Sequence, residues 1–223
     1  MYYGNAAAAS QQDATNVWNS NYKAVYHLKE DPAVAGANGI IDSTSNANHG
    51  TDVNTVGTTT GQIDGSLNYT GAGYVEAPNS ASLNITGTAI TISYWASVID
   101  NGNDSVLLEK SLAGPTAYQY AAEFDGNGAN TYDFYIRASD NVLTGFSMTP
   151  TVGVLQHSVF TYDGANVRGY LNGALQFTTA YIKSIQSSTL PLRLGVDGSG
   201  GQAYNGKLDE VRLSNSARSI PAG

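Results

Sequence analysis

The stretch AITISYWASV at 89–98, followed by SVLLEKS at 105–111, AYQYAAEFD at 117–125 and YDFYIRAS at 132–139, decides the fold. Each run is short, rich in Tyr, Ile, Val and Phe, and alternates apolar with polar residues, as a strand with one buried face does. The connectors DGNGAN (125–130), SDN (139–141), YDGAN (162–166), LNGA (171–174) and DGSGG (197–201) supply the residues that tight turns require at positive φ. Working outward, YKAVYHL (22–28), SLNYT (66–70) and GYVEAP (73–78) read as strands before this block. HSVFTYD (157–163), NVRGYLNG (166–173), ALQFTTA (174–180), LRLGV (192–196) and GKLDEVRLS (206–214) read as strands after it. Such even punctuation predicts an all-β chain, a two-sheet antiparallel jelly-roll sandwich. Only AAAAS (6–10) and QQDATNVWN (11–19) read as a short helix, with Ser10 or Asp13 as its cap. Without a repeat or linker after residue 22, residues 22–219 form one domain, with 1–21 an N-terminal extension and 220–223 a tail.

The 223 residues suffice for a self-supporting core. Ten Lys+Arg against 18 Asp+Glu give a net charge of −8, which repels nucleic acid and anionic lipid. The chain has no Cys, which removes disulfides, thiolate metal sites and cysteine nucleophiles. No apolar run reaches the roughly 18–20 residues a membrane span needs, so no membrane insertion is expected. The start, MYYGNAAAAS, lacks the basic region of a signal peptide, and the chain reads as a piece of a longer protein whose export signal lies elsewhere.

Alternation divides the strands into faces. In AYQYAAEFD, Tyr118, Tyr120, Ala122 and Phe124 share the core face; in YDFYIRAS, Tyr132, Phe134 and Ile136 do. The opposite face carries Gln119, Glu123, Asp133, Tyr135 and Arg137. Planar hydrogen-bonding groups beside an aromatic ring suit a pyranose, so these five are the candidate carbohydrate-binding residues; an ordinary solvated sheet face is the alternative. Tyr204, Asn205, Asn101 and Asn103 are rival loop contacts, and Trp95 is expected in the core.

Four segments, IDSTSNANHGT (41–51), GQIDGSLNYTGAGYVEAPNSASLNITGTAITISYWA (61–96), SVFTYDGANVRGYLNGAL (158–175) and GKLDEVRLSNSARS (206–219), together resemble the bacterial laminin G-like branch of the concanavalin A-like lectin and glucanase superfamily. The family's tryptophan before the strand at His157 is replaced by Leu155 or Gln156. The N-terminal YYGNAAAASQQDATNVWNSNYKAVYHLKED resembles the tail of an uncharacterised domain that often precedes this module in bacterial surface proteins. The resemblance implies a structural calcium ion held by Asp42 and Asp209, with Asn46 or Asn48 adding an oxygen; an oxygen-rich loop is chemically suited to that ion. The alternative makes Asp42 an Asx-turn residue and pairs Asp209 with Arg212 or a backbone amide. His27, His49 and His157 show no zinc spacing.

Laminarinase-like relatives carry E-x-D-x-x-E on one strand, whereas Glu123-Phe124-Asp125 here runs into Gly126-Asn127-Gly128 without the closing acid. No lyase strand, G-x-S-x-G elbow or phosphate loop is present. The expectation is a non-catalytic carbohydrate-binding or adhesion module of a secreted or cell-surface bacterial protein. Its partner would be a glycan or polysaccharide, or a surface protein; a module without a sugar site and a hydrolase or lyase are the alternatives.

Overall fold

The alternation of residues 90–98 becomes strand β6 (Ile90–Val98), which sends Ile90, Ile92, Tyr94, Ala96 and Val98 into the core. The structure is a computed structural model and describes residues 13, 17–54, 56–111 and 118–220. Of the helix expected over AAAAS and QQDATNVWN, residues 6–12 and 14–16 lie outside these residues, and at its far end the Val17 amide donates to the Asp13 carbonyl at 3.2 Å, one helical turn. Before β6 come β1 (Tyr22–Tyr26), the one-turn helix α1 (Pro32–Ala35), β2 (Thr51–Val53), β3 (Gly57–Thr60), β4 (Gly65–Thr70) and β5 (Tyr74–Ala77). After it come β7 (Ser105–Ser111), β8 (Tyr118–Asp125), β9 (Thr131–Arg137), β10 (Leu143–Met148), β11 (Gln156–Tyr162), β12 (Asn166–Leu171), β13 (Ala174–Ala180), β14 (Leu192–Leu194) and β15 (Asn205–Ser214).

Two antiparallel sheets result. One runs β13-β12-β11-β6-β15-β4-β3 with β1 also on β15, and the other runs β10-β9-β8-β7-β14-β5-β2. The late strands β14 and β15 insert in mid-sheet, between β7 and β5 and between β6 and β4, so the two ends of the domain are tied together. The sheets meet over an aromatic core. Tyr94 and Tyr132 lie 5.9 Å apart and Phe134 and Phe160 5.3 Å apart across the layers. Each such pair contributes about 0.5–1.5 kcal/mol beyond its buried area.

Local chemistry sets the turns as expected at one clear place. Asn172 and Gly173, joining β12 to β13, have φ of 50° and 82°, the doubly positive pattern of a tight hairpin. A bulge interrupts β15 between Asp209 and Arg212, with Glu210 at φ 49°. Residues 205–208 therefore pair with β4 and 211–214 with β1 along one side of the same strand.

Candidate functional site

The face predicted to meet a sugar is the outer side of the seven-stranded sheet, on β8 and β9. Strand β8 breaks strict alternation at its start. Lys110 pairs with Tyr120 and Ser111 with Tyr118, leaving Gln119 as the extra residue of a bulge. Gln119 is fully buried, and its Nε2 donates to the Ile85 carbonyl at 2.7 Å and to Asn84 Oδ1 at 3.1 Å. The bulge thus takes Gln119 off the face and corrects the sequence expectation. Tyr118 takes its place: its ring lies 5.5 Å from that of Tyr135, and burial with the neighbouring Glu123 carboxyl pushes its phenol pKa up.

The other four predicted residues do come together. Glu123 and Asp133 are directly opposed in register, and Tyr135 lies across from Ala121. Tyr135 also faces Gly145 on the edge strand β10. A Cβ at Gly145 would stand 2.7 Å from Tyr135 Cε1, so only glycine lets this ring lie against the strand. The side chain is half-buried, with Gly145 on one side and the Tyr118 ring 5.5 Å away. The Tyr135 hydroxyl donates to Asp133 Oδ2 at 3.2 Å, and Thr131 Oγ1 donates to Asp133 Oδ1 at 2.8 Å. Arg137 Nε donates to the Tyr118 carbonyl at 3.3 Å and Nη1 to the Asn141 carbonyl at 3.1 Å, which fixes the guanidinium beside the rings.

Glu109 of β7 extends this face and was not singled out from the sequence. It stands opposite Ala121, hence diagonal to Glu123 two residues along the same strand. Its Oε1 accepts from Ser111 Oγ at 2.7 Å and from the Gly198 amide at 2.9 Å, while Oε2 is buried without a partner. Glu123 is 6% exposed and its Oε1 also lacks a partner. Burial pushes Glu109 up to about 7 and Glu123 up to about 8, the charge of Glu109 adding to the rise at Glu123. The one available signal was an acid inside the otherwise strand-like SVLLEKS.

Asp42 and Asn48, two of the residues expected to hold calcium, are already engaged by hydrogen bonds within the protein. Asp42 is buried, and its Oδ1 accepts from the amides of Val25 and Thr44, both at 2.9 Å. Its Oδ2 accepts from Thr44 Oγ1 and the Asn48 amide, again at 2.9 Å. Four donors therefore fill the carboxylate, leaving no lone pair for a cation. Asn48 is likewise spent, donating to the Lys23 carbonyl and Ser82 Oγ and accepting from Ser80 Oγ. Asn46 Nδ2 donates to the Tyr22 and Lys23 carbonyls. Among the described residues Asp209 shares no hydrogen bond with the Asp42 loop: it lies against the turn between β3 and β4, where its Oδ2 accepts from the Gln62 amide at 2.7 Å while its Oδ1 is buried without a partner. Asp42 is thus an Asx-turn residue, and Asp209 pairs with a backbone amide. Among the described residues no cluster of three His, Asp or Glu side chains could hold a metal ion.

Two smaller expectations also change. Trp95 faces outward from β6, stacked on His157 at 5.3 Å, because its neighbour Tyr94 takes the core position. Tyr204 is fully buried and donates to the Lys207 carbonyl, so it makes no loop contact. Asn101 and Asn103 line an open cleft of about 440 Å³ with Asp104, Asn127 and Gln202 at one end of the sandwich.

A laminin G-like family model, described as the concanavalin A-like lectin/glucanases superfamily, matches residues 69–221. The chain belongs to this superfamily. Domain 4 of AbnA, a GH43 extracellular arabinanase from Geobacillus stearothermophilus solved with arabinotriose, superposes with a TM-score of 0.67 at 17% identity. That alignment covers 90% of this chain and 95% of the other. The binding domain of Paraclostridial Mosquitocidal Protein 1 gives a TM-score of 0.70 at 11% identity over 90% of this chain and 50% of that one. The botulinum neurotoxin serotype G binding domain gives 0.66 at 12% identity over 90% and 49%. The chain therefore spans about half the length of the toxin domains. At these identities the likeness shows a shared concanavalin A-like sandwich. A search of curated proteins finds no match. Among the described residues of this superfamily member, no helix is long and apolar enough to cross a membrane.

Proposed function

We propose that the domain is a non-catalytic carbohydrate-binding module of a secreted or cell-surface protein, and that the outer face of the seven-stranded sheet is where a glycan docks. The observation that carries this reading is the half-exposed Tyr135 ring packed against Gly145 beside Asp133 and Arg137. A flat ring covers the apolar side of a pyranose, and groups around its rim bond the hydroxyls. Asp133 at the hydroxyl end accepts, Arg137 donates, and the proton-holding Glu123 can do either. The arabinotriose in complex with the arabinanase domain supports a sugar as the class of ligand.

A glycan array followed by calorimetry tests this. Wild type is expected to bind at least one oligosaccharide, Tyr135→Ala to lose it by tenfold or more, and Gly145→Val to lose it comparably by lifting the ring. A ligand bound equally by all three proteins would place the site elsewhere. Binding of no glycan at all would refute the reading.

One observation favours a second reading, cleavage of a polysaccharide. Glu123 holds a proton near neutrality, as a general acid must, and Asp133 stands directly across the ladder as a second carboxyl group. Release of reducing or unsaturated ends from a polysaccharide panel, abolished by Glu123→Gln, would establish it; no release across the panel would exclude it.

A further inference from the structure

The outer face of the other sheet carries a separate pocket of about 300 Å³. Thr91 and Ser93 of β6, Val159 of β11 and Ser214 of β15 form its floor in two adjacent rows, with Ser93 in register between Val159 and Arg212. His157 and Arg212 form walls from the sheet, Tyr22 from the N-terminal side, and Arg218 to Ile220 from the C-terminal side.

The charge at this pocket is opposite to that of the chain. The protein has only ten Lys and Arg and a net charge of −8, yet two arginines and a histidine line the pocket and no Asp or Glu does. Arg212 is offset by Glu210, whose Oε2 accepts from its Nη2 at 2.6 Å, but its buried Nε has no partner. Arg218 forms no ion pair among the described residues. Its position is fixed by other means: Cζ stands 3.9 Å over the Tyr22 ring, Nε donates to Ser214 Oγ, and Nη2 donates to Asn19 Oδ1. A preorganised, unpaired guanidinium is the group that binds a planar carboxylate by a two-pronged contact.

The rest of the lining suits a sugar ring. Ser93, Ser219 and the His157 imidazole make no side-chain hydrogen bond among the described residues, and the carbon surfaces of Tyr22 and Val159 lie beside them. Burial, aided by Arg212, lowers the His157 pKa, so the ring is neutral and offers one donor and one acceptor to hydroxyls. The volume matches one monosaccharide unit at the small end of ligand pockets.

We infer that this pocket is a second glycan subsite, selective for a sugar unit that bears a carboxylate, with Arg218 taking the charge. The inference rests on the carbohydrate-binding reading and adds a site and a ligand class to it. Because the two sites lie on opposite sheets, their losses separate.

The test titrates the whole chain with oligogalacturonate, with its neutral methyl ester and with a sulfated oligosaccharide, using wild type, Arg218→Gln, Ser93→Leu and Tyr135→Ala. Melting temperature confirms folding, and Ser93→Leu narrows the pocket without breaking a hydrogen bond. The expected result is that oligogalacturonate binds wild type, that Arg218→Gln and Ser93→Leu each weaken it tenfold or more, and that Tyr135→Ala retains pocket binding. The ester should bind at least tenfold more weakly than the acid. Binding led by the sulfated chain, equal binding of acid and ester, or indifference to both pocket variants would overturn the inference. If neutral glycans bind through Tyr135 while oligogalacturonate binds nowhere, the pocket proposal fails and the module reading stands. If no glycan binds at all, both fail.

Discussion

Asp42→Ala should be the most destabilising single substitution outside the aromatic core. The change strands three backbone amides, of Val25, Thr44 and Asn48, and the Thr44 hydroxyl around a buried hole. A buried donor left without its acceptor costs about 1–3 kcal/mol, and relaxation will let water reach some of them. A loss on the order of 3–4 kcal/mol is expected, or roughly 6–16 °C in melting temperature for a domain this long. Asp42→Asn keeps one acceptor oxygen and should lose about half as much. Since donors already fill the carboxylate, neither calcium nor EDTA should move the wild-type midpoint. A calcium-dependent rise that Asp42→Ala abolishes would show that a cation, and not four hydrogen bonds, organises the loop.

The second large effect is a pH dependence of stability set by Glu109 and Glu123. Both are unperturbed near 4.5 when unfolded, and burial raises them to about 7 and about 8 in the fold. Between pH 4.5 and about 8 the unfolded chain therefore releases protons that the folded chain keeps. Their contribution is full below pH 4.5 and is lost progressively as the pH climbs to 8. At about 1.4 kcal/mol per pH unit of displacement, the fall is on the order of several kcal/mol over this window. His27, raised chiefly by its hydrogen bond to Glu210, falls in the same direction, whereas the lowered pKa of His157 opposes it. The double variant Glu109→Gln/Glu123→Gln leaves both histidines in place and should flatten most of the slope in denaturant titrations at pH 5, 6.5 and 8. A slope unchanged in that variant would mean the pair titrates normally.

The sequence spelled out the central strands more fully than the edges or the bulges. The long alternating runs that became β6, β8, β9 and β11 were legible because one face of each had to be apolar. Strands β2, β3 and β10 were not, since TDV, GTTT and LTGFSM are short edge segments of Thr and Gly whose pairing depends on neighbours already in place. Most of the polar face of β8 and β9 followed from alternation, but Gln119 did not. A bulge shifts everything on one side of it by a residue, and nothing in AYQYAAEFD marks where the extra residue falls. Trp95, expected in the core, faces outward because the period of two along β6 gives the inward positions to Ile90, Ile92 and Tyr94. The Asp42 loop misled for another reason. Three of the four donors that satisfy its carboxylate are backbone N–H groups, which side-chain spelling does not reveal.

The partnership of Tyr135 with Gly145 shows how stability and recognition can share one feature. An edge glycine exposes backbone and loses strand stability, and an aromatic ring laid over it from the neighbouring strand restores cover. The same placement sets a half-exposed ring on an acidic, hydrogen-bonding face. Whether the ring serves recognition as well as cover is a question of where a sugar lands.

Amide chemical-shift mapping during titration with an array-selected neutral oligosaccharide answers it directly. The account predicts saturable shifts centred on Asp133, Tyr135, Arg137 and Gly145, with the Asn101–Asn103 loop and Gln202 at the open end unmoved. Shifts confined to that end cleft, with Tyr135 and Gly145 silent, would contradict it.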